Sequence, residues 1–169
     1  MGNIFRFPNP VNELAARSVA GGVVILTALT LASSLAFGSG WLWLSVPLAF
    51  GFVARVASGP KFSPLGQFAT RVVAPRLGPS RPTAGPPKRF AQAIGASLSV
   101  AAVLAHFAFG TDWFAQLCLG AILVAAILEA GFGICLGCVI FGRLMKAGLV
   151  PAQTCAACAD ISLSRVPAA

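Results

Sequence analysis

The run Ser18–Phe37 reads SVAGGVVILTALTLASSLAF and carries no charged side chain. As an α-helix rising about 1.5 Å per residue, it would extend roughly 30 Å, the thickness of the hydrocarbon core of a membrane. Three further apolar runs follow along the chain, at about 41–57, 90–109 and 114–142. The sequence therefore predicts an all-α fold, a bundle of four transmembrane helices.

The composition of the whole chain agrees with a membrane environment. Of its 169 residues, 57% are hydrophobic and 9% are charged, and the mean hydropathy is +0.87. Because an ordinary soluble domain is charged at about 25% of its positions, this chain lacks the charges that would cover a soluble surface. The same numbers exclude a disordered chain. We expect residues 1–169 to form a single integral membrane domain in contact with the lipid bilayer.

The basic residues predict the orientation. All 12 lysines and arginines lie in the N-terminal segment, the loop 58–89, the C-terminal part 143–169, or the adjoining helix ends. The short turns 38–40 and 110–112 contain none. Since positively charged loops stay on the cytoplasmic side, we expect a multi-pass protein of the cell (inner) membrane with both termini in the cytoplasm. This placement accounts for the net charge of +8 without nucleic-acid binding.

The loop 58–89 contains a short amphipathic segment. Ser63-Pro64 is typical of the beginning of a helix. Apolar residues with helical spacing follow it, at Leu65, Phe68, Ala69, Val72 and Val73. We expect a cytoplasmic helix lying on the membrane surface between spans 2 and 3; packing of this helix on the protein itself is the alternative. The four spans then form two tandem helical hairpins.

The two hairpins resemble each other in sequence. Ala36–Trp41 matches Ala108–Trp113, and the same offset along the chain relates Arg17 to Arg89. The shared offset favours an internal duplication about an axis along the membrane normal.

Four of the five cysteines form two CxxC pairs, Cys135/Cys138 and Cys155/Cys158. The separation of the two pairs fits the spacing of a four-cysteine zinc site, and an iron–sulfur cluster is an alternative. Because the cytoplasm is reducing, permanent disulfides are disfavoured there. Thiol redox chemistry, metal binding and simple packing therefore all stay open as roles for these four residues. Cys118 is expected to be a packing residue.

The helix positions of the cysteines suggest which thiols react. If the fourth span is one helix to residue 142, Cys135 and Cys138 lie near its C-terminal end, where the helix dipole raises a thiol pKa. Thr154 is expected to cap a short helix with Cys155 in its first turn, where the pKa falls. This argument makes Cys155 the more reactive thiol.

Two charged residues lie within the apolar runs. Counted from the outer turns, Arg55 and Glu129 lie at nearly the same depth in spans 2 and 4. Since an ionisable group in a membrane is usually paired, we expect a structural ion pair between them. His106 lies near the outer end of span 3 and is expected to be structural. The chain contains no HExxH, paired carboxylates or Ser-His-Asp set, so a hydrolase has almost no support.

Four motifs resemble a known family of bacterial integral membrane proteins, domain of unknown function 4395. They are Phe7–Glu13 (FPNPVNE), Gly59–Gly66 (GPKFSPLG), Gly85–Gln92 (GPPKRFAQ) and Glu129–Cys138 (EAGFGICLGC). The family offers no established activity to transfer. Its members are similar to proteins fused to, or encoded near, thioredoxin-like and sulfur-transfer proteins, which implies a role for Cys135 and Cys138 in thiol or sulfur metabolism.

The leading hypothesis is a membrane-bound thiol-redox or sulfur-handling component. Its partner would be a thioredoxin-like protein or a sulfurtransferase that exchanges with the two CxxC pairs. One alternative is a non-catalytic assembly subunit of a larger membrane complex, with a zinc ion held by all four cysteines. A second alternative is a transporter of small sulfur species.

Overall fold

The computed structural model describes residues 9–149, and nearly all of them are helical. Two longer helices form the first half and two the second: α1 Glu13–Phe37, α2 Ser45–Ser58, then α5 Gly85–Phe107 and α6 Asp112–Ile127. Three short helices complete the set: α3 Pro64–Phe68, α4 Ala74–Leu77 and α7 Leu136–Lys146. A 3-10 helix Ser39–Leu44, two π-helical turns Ala69–Val73 and Leu128–Phe132, and a short strand pair Val11–Asn12 and Pro82–Thr83 connect them.

Four helical stretches are long and apolar enough to cross a membrane. They are Glu13–Phe37, Ser39–Leu77, Gly85–Phe107 and Asp112–Phe132. Their outward faces carry large exposed apolar side chains such as Ile25, Leu35, Phe50 and Leu117, which suits contact with lipid. The predicted all-α bundle of four transmembrane helices is confirmed, and the chain is an integral membrane protein.

The bundle has two chemically different ends. Both short turns between paired helices lie at one end, called here the hairpin end. The opposite end, called the basic end, carries the first turn of α1, the last turn of α2, the first turn of α5 and the whole of α7. The lysines and arginines of the described residues lie at or near this basic end.

The two hairpins interlock. Helix α2 packs mainly against α5, α5 against α6, and α1 against α6, while α1 and α2 of the first hairpin contact each other less. Gly95 of α5 permits the closest approach, because a Cβ atom there would collide with the ring of Phe52 on α2. The fully buried side chains include Leu42 and Leu119. Thr30 lies among them and donates from its hydroxyl to the carbonyl of Leu26, 2.7 Å away.

Arg17 and Arg89 occupy equivalent positions in the two hairpins, and each donates hydrogen bonds to the other hairpin. Arg17, in the first helix of hairpin 1, donates to the carbonyls of Ala130 (3.1 Å) and Gly131 (2.8 Å) at the end of span 4. Arg89, its counterpart in hairpin 2, donates from Nε to the carbonyl of Val56 (3.1 Å) at the end of span 2. Each arginine thus binds carbonyls that a helix end leaves without an intrahelical partner. This reciprocal arrangement supports the duplication that the sequence suggested.

The segment after span 2 begins where the sequence predicted. The Ser63 side chain accepts a hydrogen bond from the backbone N–H of Gly66 and caps α3. Leu65 reaches α1, where it fills the space that a Cβ atom at Gly22 would occupy, whereas Phe68 is exposed. The segment therefore packs one face on the bundle and leaves an apolar side chain free to face lipid.

The fourth run is not one helix to residue 142, and the sequence expectation is wrong on this point. Gly133 adopts a left-handed conformation with φ of 71° and ends the span. Cys135 is extended, and α7 starts at the next residue and packs on α5. Glycine is the usual residue for such an ending, because it has no Cβ atom to clash. The part of the run beyond Gly133 therefore contains this separate helix.

Gly137 permits the close contact between α7 and α5. A Cβ atom at Gly137 would lie 2.5 Å from the Cα atom of Ala91, whereas one at Gly142 on the same helix meets nothing within 4 Å. We expect Gly137→Ala to lower the free energy of unfolding by about 1–3 kcal/mol through overpacking. Gly142→Ala should leave it unchanged or raise it by up to about 1 kcal/mol. Unfolding of detergent-solubilised protein by circular dichroism measures both, and equal effects would contradict this packing.

Candidate functional site

The first CxxC pair lies at the N-terminal end of a helix, not at a C-terminal end as the sequence predicted. Cys135 is the N-cap residue of α7, and Cys138 lies in the first turn. The break at Gly133 causes the difference, because it ends the span and lets a new helix begin at the pair. The positive end of the helix dipole, which stabilises a thiolate, therefore lies at the thiols.

The two thiols interact and differ in acidity, and both lie outside the four membrane-spanning stretches. The pKa of Cys135 is lowered because the Cys138 thiol donates a hydrogen bond to its sulfur; the Lys88 charge acts in the same direction, while burial and Glu129 oppose it. The pKa of Cys138 is raised, first because it is the donor in that hydrogen bond and then by burial. The thiolate of this pair therefore belongs to Cys135.

A buried ion pair lies beside the thiols. Nζ of Lys88, near the start of α5, is 2.5 Å from Oε1 of Glu129 in the π-helical turn. Both side chains are largely buried, at 10% and 16% exposure. The expected pair between Arg55 and Glu129 is wrong: Glu129 binds Lys88 instead. Counting residues along each span places Arg55 and Glu129 at the same depth. However, α5 lies between α2 and α6 in the bundle, so Lys88 of α5 is closer to Glu129.

Arg55 is bound by neutral groups. Its Nε donates to Oε1 of Gln92 (2.8 Å), and its Nη1 donates to the hydroxyl of Ser63 (3.1 Å). The guanidinium also stacks on the ring of Phe52, at 4.5 Å from the centroid. Arg55 is only 5% exposed, and its Nη2 has no hydrogen-bond partner among the described residues. Glu129 acts on it as a nearby charge without forming a salt bridge.

Two cavities meet at this cluster. The first, called the thiol cavity, has a volume of about 250 Å³. Most of its walls are apolar residues of α1, α5, α6 and α7, and Cys135 and Glu129 also line it. The second, called the arginine cavity, has a volume of about 220 Å³ and is lined in part by Arg55 and Lys88. Gln92 lines both cavities, so the two spaces lie next to each other.

Lys88 and Gln92 are the site residues that the sequence reasoning missed. A signal for them exists in the spacing of α5: Lys88, Gln92 and Gly95 follow one another at i, i+4 and i+7, which places them on one helix face. Gly95 marks that face as the one pressed against α2. Lys88 also falls in one of the four motifs that carry the family resemblance, but a basic residue at a membrane boundary reads first as an orientation signal.

The remaining predicted residues separate into three groups. Cys155 and Cys158 lie outside the described residues, so their predicted role in redox chemistry or metal binding stays a prediction. Within residues 9–149, no group of three His, Cys, Asp or Glu side chains is placed to hold a metal ion. Cys118 is buried in the core, and His106 pairs with Asp112 at the hairpin end, with 2.6 Å between Nδ1 and Oδ1.

A comparison with protein families gives one match. The family model described as Domain of unknown function (DUF4395) matches residues 11–146, which include the thiol pair, the ion pair and Arg55. No curated protein and no solved structure matches the chain.

The Lys88–Glu129 pair can be tested against the Arg55–Glu129 alternative. We expect Glu129→Leu to lower the free energy of unfolding by about 3–5 kcal/mol, because it leaves the buried Lys88 charge without its partner. Adding Lys88→Met should recover most of that loss, since an apolar pair of similar size is often neutral. Adding Arg55→Met instead should recover little. Equal recovery by both second substitutions in a double-mutant cycle would contradict the assignment.

The acidity of the thiols predicts a pH profile. Because thiolates alkylate and thiols do not, a lowered pKa moves the rise in the rate to lower pH. We expect Cys135 to label with a small alkylating reagent at lower pH than Cys118, read peptide by peptide by mass spectrometry. Cys138→Ala removes the donor to the Cys135 sulfur and should move the Cys135 profile to higher pH. An unchanged profile in that variant would show that the hydrogen bond does not set the pKa.

Proposed function

We propose that the chain, which belongs to the Domain of unknown function (DUF4395) family, is a membrane-bound thiol–disulfide component. The proposal rests on the geometry of its thiol pair. The observation that carries the proposal is the CxxC pair at the start of α7, hydrogen-bonded within itself and next to the buried Lys88–Glu129 pair. A helix N-terminus and a neighbouring cation are the surroundings that make a cysteine pair redox-active.

The chemistry is a two-electron exchange with a protein dithiol. In the oxidised form Cys135 and Cys138 share a disulfide; a thiolate of the partner attacks one sulfur and forms a mixed disulfide, and the other cysteine leaves as a thiolate. The partner's second thiol then attacks the mixed disulfide and loses its proton. The partner ends as a disulfide, and the CxxC pair ends as a dithiol that has gained two electrons and two protons. The reverse sequence oxidises the pair again.

The unequal burial of the two sulfurs assigns their roles. Cys138 is partly exposed, whereas Cys135 is 7% exposed and faces the thiol cavity. A protein partner therefore reaches Cys138 first. Cys135 becomes the leaving group, and a leaving thiol with a lower pKa departs faster. The mixed disulfide with a protein forms on Cys138.

The basic end of the bundle is where this exchange would occur. By the positive-inside rule, we assign that end, with both termini, to the cytoplasmic side of the cell's inner membrane. The partner class is then a thioredoxin-like protein, or a sulfurtransferase that would carry sulfur on its own cysteine. This assignment rests on the basic residues, and labelling of the single-cysteine variants Ser39→Cys and Ser80→Cys from either side of the membrane tests it.

The alternatives have less support from the described residues. A zinc-bound assembly subunit needs Cys155 and Cys158 as its other two ligands, and these lie outside residues 9–149. Transport of a sulfur species needs a polar path, whereas most side chains that line the two cavities are apolar. The hydrogen-bonded thiol pair favours exchange over both.

The role of each cysteine predicts which variant traps a partner. We expect Cys135→Ser to accumulate a mixed disulfide with a thioredoxin-like protein, because Cys138 is accessible and no second thiol resolves the bond. Cys138→Ser should accumulate several-fold less. Non-reducing gels with mass spectrometry of the trapped species measure this, with an active-site variant of the partner that lacks its own resolving thiol.

Cys118→Ser is the matched control, because Cys118 is a buried core residue at a distance along α6 from the thiol pair. It should trap nothing beyond the wild-type level. Absence of a trapped partner in both CxxC variants, with the protein folded, would overturn the proposed exchange. Preferential trapping by Cys138→Ser would retain the exchange and reverse the assigned roles of the two sulfurs.

A further inference from the structure

The charges inside the basic end do not balance. Arg55 and Lys88 are both more than nine-tenths buried, and Glu129 supplies the carboxylate that faces them. An arginine is always protonated in a protein, and Glu129 binds Lys88 directly. The cluster of these three side chains therefore carries one excess positive charge in surroundings where an uncompensated charge is costly.

One nitrogen of the cluster lacks a partner among the described residues. Nη2 of Arg55 is buried without a hydrogen bond, although Nε and Nη1 of the same guanidinium are bound. Buried polar atoms in folded proteins are nearly always bound by protein or by an ordered molecule. The described residues thus leave one charged donor of Arg55 without a partner.

Arg55 lines a cavity of the right size for a small ligand. The arginine cavity, of about 220 Å³, is bounded by Arg55, Lys88 and Gln92 together with Val11 and Thr70. Val11 lies in the short strand before α1 and is partly exposed, so the cavity borders the surface of the basic end. Both cations of the cluster thus line one space.

We propose that the arginine cavity is a binding site for a small oxyanion, held by the guanidinium of Arg55 and by Lys88. Arginine presents its donors in a planar fork that matches the oxygens of a phosphate, sulfate or carboxylate group. The ligand's negative charge offsets the excess positive charge of the cluster. The same chemistry is offered by a free inorganic anion and by the phosphate of a lipid headgroup.

The anion site does not use the thiols as ligands. The ligand contacts Arg55 and Lys88, and Cys135 lines the neighbouring cavity. A variant with both Cys135→Ser and Cys138→Ser should therefore still bind the anion, at least as tightly as the wild type, because no Cys135 thiolate competes for the positive charge. This variant separates failure of the anion site from failure of the proposed exchange, because it lacks the two thiols assigned to that exchange.

Calorimetric titration of the purified full chain in a neutral detergent tests the proposal. The first arm compares sodium sulfate, thiosulfate or phosphate with sodium chloride at the same ionic strength, because salt screening alone changes the interactions of surface charges. The second arm adds phosphatidylglycerol against a neutral diacylglycerol. Saturable binding in the first arm identifies a free anion, and binding confined to the second identifies a lipid headgroup. Either result supports the oxyanion site.

The variants decide whether binding occurs at Arg55. We expect Arg55→Met to weaken binding by about tenfold or more, because one charge-assisted hydrogen bond is worth at least about 1.4 kcal/mol. Arg76→Met, at an exposed position of α4, is the matched control and should bind as the wild type does. Val11→Trp narrows the cavity without removing a charged side chain and should also weaken anion binding. This second variant tests the site if Arg55→Met does not fold.

The proposal is overturned by two results. One is the lack of saturable binding in both arms by a folded wild-type protein, which would mean that water completes Arg55. The other is binding that neither Arg55→Met nor Val11→Trp reduces, which would place the anion elsewhere on the basic surface.

Discussion

The break at Gly133 is the constraint on which the basic end depends. A helix that ends inside or near a membrane exposes carbonyls that lipid cannot bind, and here Arg17 of α1 binds those of Ala130 and Gly131. That contact fixes the end of span 4 against the start of span 1. The chain then restarts at Cys135, whose place at a helix N-terminus follows from where the previous helix ended. The thiol pair owes its position at a helix N-terminus to this break in the backbone.

The sequence similarity of the two halves relates Cys135 to Ser63. Ser63 and Cys135 are related by the same offset along the chain as the two turns, and each is the N-cap of a short helix after its hairpin. In the first half the cap is a hydroxyl that accepts from Arg55, a neutral structural contact. In the second half the cap is a thiol within the influence of Lys88. Equivalent N-cap positions thus carry a hydroxyl in one half and a thiol in the other.

The sequence predicts the four spans because lipid imposes length and apolarity on every helix that crosses it. It also predicts the Ser63 cap, since that signal is local. The sequence does not predict the end of span 4, because a glycine inside an apolar run is compatible with a continuous membrane helix. It does not predict the partner of Glu129 either. Depth follows from counting residues, but the neighbour of a helix follows from packing, and α5 brings Lys88 closer than α2 brings Arg55.

The positions of the charges link the two proposed sites. Lys88 contacts Glu129, acts on the Cys135 sulfur and lines the arginine cavity. A thiolate at Cys135 and an anion beside Arg55 both offset the same excess positive charge, so each reduces the attraction that remains for the other. Oxidation of Cys135 and Cys138 to a disulfide removes the thiolate. The bound anion alone then offsets the excess positive charge of the cluster. Anion affinity is then coupled to the redox state of the thiol pair, and by reciprocity the bound anion favours the disulfide.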